Sequence, residues 1–226
     1  IWKELVKIIK SMDKIDLNKL DSIIWHELGH FIIDSMFVKN YKEYVITKFE
    51  IENNVGGKIK TEKISNEKFD PFENKEILSY YIVNLTFGVI LESINLTINS
   101  SKTIKPIELF SLTKSGSDDL LKFKDVKTKI KQDNLENIIK TKFEELYKFI
   151  LNDNSTLIAL RNIIIEIKNK LNPSSLNENS YELNKEDIEF FQNKILKSKE
   201  FALFFQPIQF YLDSVDKSIL QIYNNV

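Results

Sequence analysis

Apolar residues recur at helical spacing along most of the chain. The first such segment runs from about Asp16 to Met36, and Asp16 or Asn18 is suited to cap its start. Its apolar stripe consists of Leu20, Ile23, Ile24, Phe31 and Ile32. The second segment starts at Asp70-Pro71-Phe72-Glu73, which has the order of a capping box with proline at the first helical position, and extends to about Asn95. The spacing predicts two long helices.

The pattern stays helical from Leu120 into the C-terminal region. One stripe consists of Leu135, Ile138, Ile139, Phe143, Leu146 and Ile150. A further helix is predicted from Leu157 to Leu171, ahead of Pro173, and a polar connection from Asn172 to Glu182. Asn184 is suited to cap the next helix, whose apolar positions are Ile188, Phe191 and Ile195. The aromatic run from Phe201 to Tyr211 is typical of a core element, with a subunit contact as the alternative for Phe204, Phe205 and Phe210.

Between the two long helices the period of the pattern changes to two. Residues Glu43 to Glu52 alternate, and one face is formed by Val45, Thr47, Phe49 and Ile51. The turn-forming run Asn53-Asn54-Val55-Gly56-Gly57 follows, and Lys58 to Ile64 returns as a second strand. The alternation predicts a hairpin over residues 43–64. We therefore expect an α+β fold that is predominantly α-helical, with a small β-hairpin or sheet and a helical C-terminal part.

Composition favours one domain. The 226 residues are 42% apolar, which is enough to bury a substantial core, and no Pro/Gly-rich linker divides them. We expect a single domain over 1–226, with a core in 1–132 that holds the first helix and the hairpin, and a helical subregion in 133–226.

The formal net charge is −1 and Arg161 is the sole arginine, so we expect no nucleic-acid surface. The most apolar stretch, Tyr80 to Ile98, contains Asn84, Glu92 and Asn95 and predicts a core helix rather than a membrane span.

The two histidines of the chain lie in one short motif. His26, Glu27 and His30 form a His-Glu-x-x-His sequence, which random placement of two histidines would produce on the order of one time in a thousand. Residues four apart share one face of a helix, so both imidazoles can reach one tetrahedral Zn²⁺. Glu27 would then serve as the general base for a zinc-bound water that attacks a peptide carbonyl. Gly29 costs helix stability, which indicates that backbone or substrate approaches closely there.

Composition also limits the third zinc ligand. No histidine remains and the chain has no cysteine, so the ligand must be a carboxylate or, less readily, a tyrosine. The extended metzincin pattern, which needs a third histidine, is excluded. The carboxylates considered are Glu73, Glu76 and Glu92 in the second long helix, and Asp118 and Asp119 in Ser115-Gly116-Ser117-Asp118-Asp119-Leu120.

The order of these segments resembles the peptidase domain of the FtsH-type membrane AAA proteases. The shared order is a His-Glu-x-Gly-His helix at His26 to His30, a hairpin near 43–64, the Gly-x-x-x-Glu element Gly88 to Glu92, the segment Ser117-Asp118-Asp119-Leu120, and then helices. In that family a Gly-Ala-x-x-Asp-Leu segment supplies the third ligand. The resemblance implies Asp119 as that ligand, with Asp118 as the fallback, although Ser115 stands where the family has glycine.

The resemblance carries further expectations. Glu92 would orient a zinc-bound histidine through its other ring nitrogen, or serve as an alternative ligand beside Glu76. The other interpretation of Glu92 is a solvated or locally hydrogen-bonded helix residue. An ATPase module or partner chain, a ring-shaped homo-oligomer and a location in the cytoplasm or at the cytoplasmic face of a membrane are implied. No ATPase motif, signal peptide or membrane span lies in the 226 residues, and since the chain starts at Ile1 we expect any such module upstream.

The sequence thus predicts a zinc metalloendopeptidase that cleaves unfolded or extended polypeptides. We expect the hairpin rim, Val55, Gly56, Gly57, Lys58 and Ile59, to bind substrate by strand addition, or else to cover the core. Two alternatives remain open. One is a regulatory zinc peptidase of the ImmA/IrrE type, with a glutamate such as Glu76 as third ligand. The other is a catalytically silent pseudopeptidase or scaffold that binds peptides.

Overall fold

Helices and one small sheet make up the part of the chain that the structure describes, as the sequence predicts. The structure, a computed structural model, describes residues 20–52, 55–100, 103–106, 114–130, 135–174 and 180–223. The predicted caps Asp16 and Asn18 lie outside these residues. In chain order the elements are α1 Leu20–Asn40, β1 Tyr44–Glu52, β2 Gly56–Lys63, α2 Lys75–Asn99, α3 Lys114–Ile130, α4 Leu135–Asn152, α5 Asn154–Lys170, β3 Asn172–Pro173, β4 Ser180–Glu182, α6 Lys185–Lys197 and α7 Lys199–Tyr223.

Helices α1 and α2 pack against each other at the centre of the fold. Every residue from Ser22 to Ile33 is buried, which is why the apolar residues of α1 surround the helix rather than forming one stripe. The two helices approach most closely at Gly29, where an added Cβ would lie 2.7 Å from the Cα of Gly88. The close backbone approach predicted for Gly29 is therefore confirmed. It places the motif on α1 directly against α2.

The predicted hairpin is present, but its buried face differs from the prediction. Strands β1 and β2 pair antiparallel, and the register shifts between Ile46 and Lys48, leaving Thr47 as an extra, exposed residue. Such a bulge resets the alternation of the strand. The buried side chains are consequently Tyr44 and Ile46 before the bulge and Phe49 and Ile51 after it. The prediction that Val45 and Thr47 share one face with Phe49 and Ile51 was wrong for this reason.

The sheet has four strands in the order β2-β1-β4-β3, all antiparallel. Strand β4 pairs with β1 through Glu50 to Glu52, so residues predicted as a polar connection, Asn172 to Glu182, in part extend the sheet. Neither short strand has an alternating pattern long enough to be read from sequence. Strand β2 occupies one edge of the sheet.

Helix α2 begins four residues later than predicted, because its N-cap is Asn74 and not Asp70. The Oδ1 of Asn74 accepts a hydrogen bond from the backbone N–H of Ile77 at 2.9 Å and caps the helix. Asp70 instead closes a turn, because its carboxylate accepts from Phe72 N–H at 2.9 Å. The helix then continues to Asn99, past the predicted end. It is long and apolar enough to cross a membrane, yet 83% of its most apolar window is buried inside the protein, which agrees with the core helix that the sequence predicts.

The C-terminal helices enclose α2. The side chain of Asn184 accepts from Asp187 N–H at 2.8 Å, which confirms the predicted cap of α6. Helix α7 continues through Pro207, and it buries Phe201, Phe204 and Tyr211 while Phe210 is 67% exposed. The hydroxyls of Tyr211 and Thr86 lie 2.9 Å apart, which joins α7 to α2. These contacts fix the position of the helix that faces the motif.

Candidate metal centre

Two histidines and one aspartate converge in the interior. His26 and His30 lie one turn apart on α1, and Asp119 comes from α3. The Nε2 atoms of the histidines are 3.0 Å apart, and Asp119 Oδ2 lies 3.1 Å from each. Among the described residues, these three side chains form a group with ligand atoms close enough to hold one metal ion. All three are buried.

The other nitrogen of each ring has an acceptor that assigns the ring proton. His26 Nδ1 donates to Glu92 Oε2 at 3.0 Å, and His30 Nδ1 donates to both the backbone oxygen and Oδ1 of Asn84 at 2.9 Å. Carboxylate and carbonyl oxygens only accept, so the protons of the neutral rings lie on Nδ1. Both Nε2 atoms therefore direct lone pairs toward the carboxylate of Asp119.

Three converging lone pairs repel one another unless a proton or a metal ion lies among them. In tetrahedral zinc sites, bonds of about 2.0 to 2.1 Å separate two ligand atoms by about 3.3 to 3.4 Å. The observed separations of 3.0 and 3.1 Å are within a few tenths of an ångström of that value. Two imidazole nitrogens and a carboxylate oxygen are also ligands that zinc prefers. The residues present therefore fit zinc.

The electrostatics of the cluster also favour a positive charge between the two rings and the carboxylate. Burial alone would lower the pKa of His26, but the hydrogen bonds with Asp119 and Glu92 raise it well above its usual value. Burial alone would raise the pKa of Asp119, but the charge of His30 and hydrogen bonds with both rings hold it well below its usual range. The site thus favours positive charge at its centre, supplied by protons or by a metal ion.

Glu27 lies beside this cluster under the hairpin. Its side chain is 3% exposed, and burial raises its pKa although the neighbouring histidines act to lower it. The backbone of Gly57 in β2 contacts the carboxylate, since an added Cβ would lie 2.6 Å from Cδ of Glu27. The glycine therefore allows the edge strand to rest directly on Glu27.

A second glycine allows α2 to approach the imidazoles. A Cβ on Gly88 would lie 2.8 Å from His30 Nε2 and 2.9 Å from His26 Nε2. Gly88 thus leaves open the space beside both lone pairs and allows α2 to pack closely against α1. One turn later on the same helix, Glu92 accepts a hydrogen bond from His26 Nδ1, the ring nitrogen that the predicted orienting role would use.

The structure separates the carboxylates that the sequence left open as third ligand. Asp119 is 4% exposed and lies in the cluster, whereas its neighbour Asp118 is exposed on the wall of the adjoining cavity. Glu76 is exposed and lies 3.4 Å from Lys75 Nζ, and Glu73 pairs with Lys63 at 2.8 Å. Neither of these two glutamates joins the cluster.

A cavity of about 570 Å³ opens beside the cluster. His26, Glu27 and His30 line one side, and the predicted rim residues Val55, Gly56, Gly57, Lys58 and Ile59 line another. Apolar and aromatic side chains extend the wall away from the cluster, namely Phe37, Phe69, Ile77, Tyr80, Tyr81 and Leu85. The cavity therefore lies between the edge strand and the motif.

Sequence reasoning missed three polar residues around His30: Asp34, Asn84 and Thr61. Asn84 Nδ2 donates to Asp34 Oδ1 at 2.6 Å, and Asp34 Oδ2 accepts from Thr61 Oγ1 at 3.0 Å. Burial raises the pKa of Asp34 to about 6. Helical spacing was a usable signal, because Asp34 follows His30 by four residues and Asn84 precedes Gly88 by four. A fourth omission is Lys122, whose Nζ lies 3.4 Å from Asp119 Oδ1.

Comparison with known proteins adds no assignment. No family model, curated protein or solved structure matches the chain. The contacts of the cluster and its cavity are accordingly the basis for assigning a function.

Proposed function

We propose that this chain is a zinc-dependent metalloendopeptidase that hydrolyses peptide bonds of unfolded or extended polypeptides. The observation that carries the proposal is the convergence of His26 Nε2, His30 Nε2 and Asp119 Oδ2 within 3.1 Å of one another, with Glu27 buried beside them. A structural zinc site is normally closed by a fourth protein ligand. Among the described residues the metal-binding group has three members, which leaves a position for water or substrate.

The roles of the residues follow from their atoms. His26, His30 and Asp119 would hold the ion, while Glu92 and Asn84 keep the ring protons on Nδ1. Bound zinc would polarise the substrate carbonyl and lower the pKa of a water ligand to about 7. Glu27 would accept the proton of the attacking water and pass it to the leaving amine. Burial favours this exchange, because it brings the pKa of Glu27 upward, closer to neutrality.

Substrate would bind as an extra strand. Strand β2 is an edge of the sheet, and its first residues line the cavity beside Glu27. An edge strand offers backbone N–H and C=O groups to an extended peptide, and such pairing depends little on side-chain sequence. Folded proteins seldom present a free strand of this kind, so unfolded or extended polypeptides are the substrate class that we propose.

The ligand set supports the FtsH-type interpretation over the ImmA/IrrE-type alternative. The former takes an aspartate after the second long helix, where Asp119 lies, and the latter would need Glu76, which is exposed and paired with Lys75. An ATPase module and a homo-oligomeric ring remain part of this proposal. Without such a module the chain would act on polypeptides that are already unfolded.

The test is cleavage of an unfolded protein such as casein by the zinc-loaded chain. Glu27→Gln should abolish cleavage and retain zinc, because the amide has the same shape but accepts no proton. Asp119→Asn should lose zinc, whereas the matched variant Asp118→Asn, one residue away on the cavity wall, should keep both zinc and activity. A wild-type chain that binds zinc and leaves every polypeptide intact would favour the peptide-binding scaffold instead.

A further inference from the structure

His30 is connected to the edge strand by a bridge of three polar side chains. Asn84 on α2 accepts from His30 Nδ1 and donates to Asp34 of α1, and Asp34 accepts from Thr61 of β2. The three donor–acceptor distances are 2.9, 2.6 and 3.0 Å. The bridge therefore joins the candidate metal ligand to the strand that lines the cavity.

The side chain of Asn84 is not needed to fix the proton of His30. The backbone oxygen of Asn84 accepts from the same Nδ1 at 2.9 Å. His26 differs, because its Nδ1 donates to a side chain, the buried carboxylate of Glu92. The Asn84 amide thus has a second task, and its remaining contacts lead to Asp34 and to the backbone oxygen of His30.

Asp34 occupies the middle of the bridge. Its carboxylate forms no ion pair with a lysine or arginine among the described residues and is held by two neutral donors, one from α2 and one from β2. A half-buried carboxylate loses much of its hydration, so release of either donor is costly. A displacement of His30 or of Thr61 is therefore transmitted to the other through Asp34 and Asn84.

We infer that Thr61, Asp34 and Asn84 are positioning residues that couple metal binding at His30 to ordering of strand β2. The inference rests on the metal-binding part of the proposed function. A metal ion fixes the ring of His30, the ring fixes Asn84, and the bridge then fixes β2 in the position that receives the substrate. Binding of an extended peptide to β2 tightens the metal site in turn, since coupling between two sites is reciprocal.

The test is residue-resolved amide hydrogen exchange of the full chain with and without zinc. Zinc should slow exchange at residues 59–63 by about fivefold or more in the wild type and in Thr61→Ser, which keeps the hydroxyl. Thr61→Val should bind zinc but show less than about a twofold change there. The matched control is Thr47→Val, which makes the same substitution on the exposed side of the hairpin, where Thr47 contacts Glu62 and Lys60.

A second variant keeps the inference testable if Thr61→Val fails to fold. Asn84→Ala retains the backbone acceptor for His30, so it should bind zinc and lose the protection of β2. Equal protection in the wild type and both bridge variants would overturn the coupling and leave the peptidase proposal intact. Failure of the wild type to bind zinc would overturn both.

Discussion

A single methyl group added at Gly88 should weaken zinc binding strongly and lower the stability of the fold only slightly. In Gly88→Ala the new Cβ would lie 2.8 and 2.9 Å from the Nε2 atoms of His30 and His26, and 3.0 Å from the backbone oxygen of His26. Ordinary contacts of carbon with nitrogen or oxygen are about 3.4 Å or longer. Helix α2 or the two rings must therefore move by about 0.5 Å.

This movement should change the free energy of unfolding little and the zinc affinity much. Alanine is favoured over glycine inside a helix by about 1 kcal/mol, and overpacking costs about 1–3 kcal/mol. The free energy of unfolding of the metal-free chain should therefore fall by at most about 2 kcal/mol. Ligand distances in zinc sites tolerate only about 0.2 Å, so a movement of 0.5 Å should weaken zinc binding by about 100-fold or more.

Two assays measure these consequences independently. Urea unfolding in the presence of a chelator gives the free energy of unfolding, and competition with a chromogenic chelator gives the zinc affinity. Gly57→Ala is the matched variant, because its Cβ would meet Glu27 rather than the histidines. It should bind zinc normally and lose cleavage. Wild-type zinc affinity in Gly88→Ala would refute the conclusion that the Nε2 lone pairs of His26 and His30 bind the metal beside Gly88.

The remaining predictions concern the partners of the two rings and of the helix crossing. Glu92→Gln should lower zinc affinity by about 10- to 100-fold without loss of folding, measured by the same competition. Asp34→Asn should change the pH dependence of stability: the pKa of Asp34 is raised from 3.8 to about 6, so its contribution to stability is full below pH 3.8 and is lost as the pH rises through 6. In chelator, the variant should therefore gain about 1–3 kcal/mol relative to the wild type between pH 4 and pH 7.5, and a constant difference would contradict the assignment. Gly29→Ala, whose Cβ would meet the backbone of Gly88 at 2.7 Å, should be destabilised and lose zinc together, as seen by thermal unfolding and zinc content.

Local chemistry was enough to predict much of this fold. The motif on α1, the hairpin and the cap at Asn184 all depend on neighbours within one turn or one strand. The close approach at Gly29 involves a distant helix, but a glycine inside a helix is itself a local signal of such an approach. The bulge at Thr47 was not predictable, because it depends on which residues of β1 face the core helices once both strands are paired. The start of α2 was misplaced since Asp70 and Asn74 both offer a capping oxygen, and tertiary packing selects between them.

The candidate site shows the same division. His26, Glu27 and His30 follow from helical spacing alone, whereas Asp119 came from the order of segments and not from periodicity. The bridge through Asp34, Asn84 and Thr61 joins three elements that are distant in sequence. Helical spacing places Asp34 one turn after His30 and Asn84 one turn before Gly88, but no local pattern connects either residue with Thr61 on the hairpin.

The two edges of the sheet have a consequence for aggregation. Strand β3 is two residues long and ends in Pro173, which has no N–H to offer to another strand. Strand β2 is longer, but Lys58 and Lys60 are exposed along it, and antiparallel pairing of two copies centred on Ile59 would set Lys58 against Lys60. The sheet thus resists growth by self-addition at both ends. The edge that we propose to receive an extended substrate thus carries charges that disfavour its pairing with a second copy of the same strand.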